Sequence, residues 1–318
     1  MARVAPHSSI RVAARLANAF ALDLVKLGSL GRDVVDALLL AAISQANVAQ
    51  ITRNPELQRA YATIDQPPPD SLRRPVSVSA VANSLRIPFE TTRRRVTALS
   101  ELGLIVTTPK GVIIPQGPLN SPVYRTITEA HFELVRRLYF RLRAIGLLEN
   151  LPAALGAPFA SDDPPVRLVV RLSADYVLRL AEPLNLHIGH LVTGLILMDI
   201  VNANTEHLDD SDGGWADWSP EAFVPDHHRQ PVRTGTLAQR LGMPQETVRR
   251  HVGRLLERDL CARVDDGYVV PSRILARDRF VQFMLDNQSH LQRLFAGLAE
   301  FGVLTQWERD VEALRGAA

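Results

Sequence analysis

Cysteine is almost missing from this 318-residue chain. With Cys261 alone, no intrachain disulfide can form, and the expected setting is a reducing cytoplasm. Lysine is nearly as scarce: only Lys26 and Lys110 occur, so 34 of the 36 basic residues are arginine, a bias that genome composition produces as readily as function. Long apolar runs are missing too. "HLVTGLILMDI" is about half the roughly 20 residues of a membrane helix and contains Asp199. The first residues lack the continuous apolar core and small-residue cleavage site of a signal peptide. No Ser/His/Asp, Cys/His or glycine-rich phosphate pattern has usable spacing, so the expectation is a soluble, cytoplasmic protein that is not an enzyme and carries no cofactor.

What the chain does contain is a sequence that occurs twice. "PFETTRRRVTALSELGLI" begins at Pro88 and "PQETVRRHVGRLLERDLC" at Pro244, 156 residues later. Over Pro88 to Leu99, seven of twelve residues are identical in this register: Pro88, Glu90, Thr91, Arg93, Arg94, Val96 and Leu99. The same shift pairs Arg15-Leu16 with Arg171-Leu172, Pro75-Val76 with Pro231-Val232, Gly111 with Gly267, Pro115 with Pro271, and "RLYFRLRAIGLL" with "RLFAGLAEFGVL". One register kept over such a distance points to tandem duplication, roughly 1–156 and 157–318, joined by "LPAALGAPFASDDPP". Residues 1–156 carry 19 Lys+Arg against 11 Asp+Glu, a net of +8, whereas 157–318 carry 17 against 23, a net of −6. A near-neutral total hides one basic and one acidic half.

Apolar periodicity predicts the same element order in each copy. A helix over about Ile10 to Leu27, or Leu168 to Ala181, precedes a second over about Asp33 to Thr52, or Gly189 to Asn204. A polar, proline-containing connector leads into the motif, and a last helix follows over about Thr128 to Leu147, or Arg279 to Thr305. Within the motif, "VSAVANSLRI" and "RTGTLAQRLGM" read as short helices capped by Ser77/Ser79 or Thr234/Thr236. After a tight turn comes a helix with Val96 and Leu99, or Val252 and Leu255, on one face and Glu90, Arg93, Arg94, or Glu246, Arg249, Arg250, on the other. "LIVTTPKGVIIP" and "LCARVDDGYVVP" then read as hairpins in which Gly111 and Gly267 supply positive φ. This is a winged helix-turn-helix found twice, in a mainly α chain with flanking long helices.

The "T-V-R-R-x-V-x-x-L" pattern followed by a β wing resembles the recognition helices of GntR-type and MarR-type bacterial regulators. Two helices before the motif and a long one after it look more like the MarR family. That resemblance implies transcriptional regulation and a subunit of about one of these halves, paired through its terminal helices; this chain resembles two such subunits fused into a single-chain pseudodimer. It departs from the pattern where Asp259 replaces the glycine seen as Gly103, and where Asp265-Asp266 replaces the wing-tip Lys110. An acidic wing repels phosphate, so the second copy is expected to bind DNA weakly or with its wing turned away.

Arginine engages guanine bidentately in a major groove, which makes Arg93, Arg94, Arg249 and Arg250 the candidate base or phosphate contacts. Glu90 and Glu246 are candidates to accept from cytosine; Thr91 and Thr247 near the helix N-termini are candidates to hold phosphate, and Gln245 is a further candidate DNA contact. Arg95, with His251 opposite it in the repeat, sits on the helix flank, and Lys110 and Arg263 are candidate backbone contacts from the wings. Two reading helices related by a pseudo-twofold axis would meet successive grooves roughly 34–36 Å apart on an imperfect inverted repeat, with no concentration dependence in their pairing. The expected partner is therefore double-stranded DNA, read by one chain or by a homodimer of it, with RNA polymerase or another regulator as a candidate partner of the acidic half.

Other readings stay open. Some replication or partition initiators also carry tandem winged domains, and a scaffold that holds protein or chromosome-associated partners belongs to a different class. "HIGH" sets His187 and His190 at i, i+3 without a completing ligand, and His227-His228 has no better case, so no metal is expected. Asp210 to Glu221 has the length of a calcium loop, but Trp215 stands where its sharp turn requires glycine. Trp215, Trp218 and Phe223 either plug the second half's core or line a pocket for a small-molecule effector.

Overall fold

The computed structural model describes residues 6–157, 159–160, 162–208 and 223–316. Trp215, Trp218 and the acidic stretch Asp210 to Glu221 lie outside these. The described chain is mainly helical. In order come α1 (Pro6–Ser29), α2 (Val34–Asn47), α3 (Ala49–Thr52), α4 (Pro55–Ala60), α5 (Val78–Leu85), α6 (Phe89–Glu101), β1 (Val106–Thr108), β2 (Gly111–Ile113) and α7 (Pro122–Ala144). They are followed by α8 (Val166–Ile188), α9 (Leu191–Thr205), α10 (Thr234–Leu241), α11 (Gln245–Glu257), β3 (Ala262–Val264), β4 (Gly267–Val269), α12 (Ser272–Leu275), α13 (Asp278–Glu300) and α14 (Val303–Gly316). Among the described residues no single helix is long and apolar enough to cross a membrane.

These elements form two compact units: the described parts of Met1–Ala37, Arg141–Leu147 and Leu180–Ser289 make the first, and those of Leu38–Phe140, Leu148–Arg179 and His290–Ala318 the second. Each unit takes elements from both sequence repeats, so repeat and unit are different divisions of the chain. α5, α6, β1 and β2 belong to the second unit; α10, α11, β3 and β4 belong to the first.

In the first unit, α1 buries Val12, Ala13, Leu16, Ala17, Phe20 and Leu24, a three-and-four spacing that makes one apolar face. That face packs on α9, which is apolar all round and buries most of its residues. Asn18 Nδ2 donates to Met198 O at 3.0 Å. The one carboxylate inside α9, Asp199, is fully buried and accepts from Lys26 Nζ at 3.1 Å and Arg240 Nε at 3.0 Å, while Arg240 Nη2 also reaches Glu206 at 3.0 Å. Two cations from α1 and α10 meet a charge that would otherwise be prohibitive to bury, and they fix α10 against the α1–α9 pair. Cys261 is buried, and that burial pushes its thiol pKa up to about 12, with Asp259 adding to the rise.

In the second unit, α8 sends Arg167 and Arg171 inward, where their guanidinium groups donate to the carbonyls of Ile64, Leu119, Tyr61 and Gln58 at 2.7–3.0 Å. Desolvation lowers the Arg171 pKa to about 10. Trp307 on α14 meets Phe132 edge-on at 5.6 Å and Tyr139 at 5.7 Å, and Tyr139 meets Phe295 at 5.7 Å.

Several boundaries differ from the sequence expectation. α1 and α8 are longer at both ends. The second predicted helix breaks at Val48 into α2 and α3. The last helix stops at Glu300, where Gly302 at φ 78° turns the chain, and α14 is a separate helix that periodicity had partly merged into it.

The connector before each motif and the helix preceding it are tied together identically. Asn47 Nδ2 donates to Arg74 O at 2.8 Å and Val112 O at 3.1 Å, and its Oδ1 accepts from Ile114 N at 2.9 Å. Asn204 repeats this with Gln230 O (2.7 Å), Tyr268 O (3.1 Å) and Val270 N (2.9 Å). Asp70 pairs with buried Arg73 and accepts from Gln116 N, as Asp226 does with buried Arg229 and Ser272 N. Val76 bridges Val112, and Val232 bridges Tyr268.

Candidate nucleic-acid interface

α6 and α11 are each set up by the turn before them. Ser77 Oγ accepts from Ala80 N at 3.1 Å and caps α5. In the other copy the N-cap is Arg233, which makes no side-chain cap, so neither Thr234 nor Thr236 caps α10 as expected. Arg86 at φ 51° and Gly242 at φ 59° end the first helices in the left-handed conformation. Pro88 and Pro244 then stand at the N-cap, one place ahead of the first helical turn expected for them.

α6 buries Thr92, Val96 and Leu99, and α11 buries Val248, His251, Val252 and Leu255. The opposite faces are exposed: Glu90, Arg93 and Arg94 on one, Gln245, Glu246, Arg249 and Arg250 on the other, with Thr91 and Thr247 half-buried at their edges. Arg93 Nη2 lies 2.8 Å from Glu90 Oε2, and Arg249 Nη2 lies 2.9 Å from Glu246 Oε2. All four side chains are more than half exposed, so water competes and such pairs contribute only about 0–1 kcal/mol. They orient the arginines without committing them. Along α6, Glu90, Thr91, Arg93, Arg94, Thr97 and Glu101 line a shallow groove.

The flank position differs between copies. Arg95 is half-buried, and His251 is not on the flank but turned inward: its Nδ1 is 2.8 Å from Thr193 Oγ1, and its ring lies 4.9 Å from that of His190. Burial lowers the His251 pKa to about 4, with His190, Arg254 and Arg250 adding to the effect. Sequence spacing alone did not separate these two environments, because the partner Thr193 is 58 residues away.

β1–β2 and β3–β4, the expected wings, are two-stranded antiparallel hairpins, pairing Val106 with Ile113 and Ala262 with Val269 at their open ends. Gly111 has φ 129°, and a Cβ there would stand 2.4 Å from Val76 O. Gly267 is not at positive φ, contrary to expectation. A Cβ there would meet Pro231 Cβ at 2.8 Å, so close approach selects glycine, while Asp265 at φ 49° takes the left-handed turn. Asp259 likewise adopts φ 49° where Gly103 has φ 70°, and pairs with Arg273 and Arg277. Lys110 is exposed at the first wing tip and Arg263 on β3. In the second wing tip Asp266 meets Arg233 at 3.3 Å.

One exposed residue escaped the sequence reading: Phe89, the first residue of α6, is 48% exposed beside the arginine face. The histidines of "HIGH" part company, His190 stacking on His251 and His187 lining a cavity of about 160 Å³ in the first unit. Phe223 is buried on that cavity's wall, with the Arg11 guanidinium 5.6 Å from its ring centroid. His227 and His228 stack on each other in an exposed turn. Comparison with protein-family models, with curated proteins and with solved structures finds no match in any of the three.

Proposed function

We propose that this chain is a sequence-specific, non-enzymatic DNA-binding transcriptional regulator. It is built from two winged helix-turn-helix motifs that arose by duplication, and it acts as a single-chain pseudodimer on an imperfect inverted repeat. One observation carries this reading: the same Glu-x-x-Arg-Arg face stands exposed on α6 and on α11, each backed by a buried apolar stripe and followed by a hairpin. A lone basic helix face is usually just solvated surface. Two faces kept in one register, each next to a wing, are what a pair of groove-reading helices requires. The recurring asparagine and Asp–Arg ties support the duplication independently of the reading helices. In this scheme Arg93, Arg94, Arg249 and Arg250 engage bases or phosphates, Lys110 and Arg263 hold backbone, and the MarR-like resemblance gives the regulatory context.

The second wing favours a further partner. Asp265 and Asp266 at its tip repel phosphate, and Arg233 is engaged by Asp266, so the tip, unlike Arg263 on β3, suits a protein such as RNA polymerase better than a DNA backbone.

Genome-wide recovery of crosslinked DNA tests the reading. The wild type should recover discrete sites, and R93A/R94A should lose most of them. R249A/R250A should lose fewer if the acidic copy contributes less. Recovery that neither double variant alters would overturn DNA reading by these helices.

A further inference from the structure

We infer that the two reading helices recognise different base pairs at equivalent groove positions: Phe89 selects thymine through its 5-methyl group, and Gln245 selects adenine. This rests on the DNA-reading function proposed above and makes it specific.

Phe89 and Gln245 are matched by the 156-residue register, and each is the first residue of its 13-residue helix. Residues at the N-terminal end of a groove-reading helix are the ones that reach base edges. Each stands one turn ahead of an exposed arginine, Arg93 or Arg249, and so lies on the same face of the helix. Packing does not explain the phenylalanine. Its ring is 48% exposed, and the same place in the other copy accepts an exposed glutamine, so the fold makes no demand for an apolar side chain there. An aromatic ring left in water gains by covering an apolar spot on its partner, and the only apolar group on a major-groove edge is the thymine methyl. Glutamine has the paired acceptor and donor that match adenine N6 and N7. Because the flanking Glu90/Glu246, Thr91/Thr247, Arg93/Arg249 and Arg94/Arg250 are identical between copies, the two half-sites should agree at the bases those residues read and disagree where Phe89 and Gln245 stand.

Selection from a random double-stranded library with the full chain tests this, using wild type, Phe89→Gln, Gln245→Phe and the double exchange. The wild type should select two half-sites that match except at one corresponding position, thymine in one and adenine in the other. Phe89→Gln should turn the thymine into adenine, Gln245→Phe the adenine into thymine, and the double exchange should swap the half-sites. Replacing that thymine with uracil should weaken the wild type about fourfold, the worth of one buried methyl, and leave Phe89→Gln unaffected. Exchanging the adenine should cost about fivefold to 150-fold, and only where glutamine is present. Sites that are selected but unchanged by either exchange, and indifferent to uracil, would overturn this assignment while leaving DNA reading intact. Failure of the wild type to enrich any sequence would overturn both.

Discussion

Asn47 and Asn204 each join a helix to the connector and the hairpin of its motif through three hydrogen bonds. Truncation of Asn204 would leave the buried Val270 N–H without its acceptor and Gln230 O and Tyr268 O one donor short, although Tyr268 O still accepts from Val232 N. Asn204→Ala should therefore lower unfolding stability by about 1–3 kcal/mol, the cost of one orphaned buried group; urea denaturation measures the loss. Two buried histidines contribute to the acid response. Burial holds His131, whose ring is 2.6 Å from Ser173 Oγ, at a pKa of about 3, and holds His251 at about 4, against an ordinary 6.5. Between the folded and ordinary values the unfolded chain binds more protons than the folded one. Their contribution is thus fully present above pH 6.5 and falls as the pH drops toward 4, by at most about 1.4 kcal/mol per pH unit for each ring. Urea midpoints across that window should show the decline, and H131Q/H251Q should flatten it. Neither asparagine stood out in the sequence: the pair is offset by 157 residues whereas the motifs repeat at 156, and a polar residue near a helix end looks like a solvated one until its partners are seen.

At the scale of elements, the arginine-bearing helices, the turns before them and the hairpins were all legible, because local spacing alone decides them. The hairpin glycines were less so: one sequence letter stands for positive φ at Gly111 and for close approach at Gly267. Gly111→Ala should cost several kcal/mol, since both the backbone conformation and Val76 O oppose a methyl group. Gly103→Ala meets nothing within 4 Å and bears only the left-handed penalty, about 1–2 kcal/mol; thermal melts should rank the two that way. The wings differ in charge, and Asp265→Asn/Asp266→Asn should raise DNA affinity by removing repulsion and releasing Arg233. Fluorescence anisotropy across a salt series checks this. The change should steepen the salt dependence by about one unit if Arg233 gains a phosphate.

Across the whole molecule, the repeated sequence is visible at a fixed 156-residue shift, but the mixing of elements from both repeats in each compact unit is not. Periodicity identifies the buried face of α1 without saying that α9, some 170 residues on, covers it. Nor does it say that Arg171 on α8 binds carbonyls near α4. A fragment of residues 1–156 therefore lacks α9 and α8 alike and should remain largely unfolded, with low helical circular dichroism, whereas two self-contained halves would each fold alone. The single thiol offers a way to watch the intact chain. Cys261 is sealed in the first unit next to the hairpin of the acidic copy, and at a pKa of about 12 it is almost entirely protonated near neutrality. Disulfide reagents need an exposed thiolate, so the native protein should stay dark to them and react one-for-one as that unit opens: a colorimetric gauge of local breathing already present in the natural chain, with no label to attach.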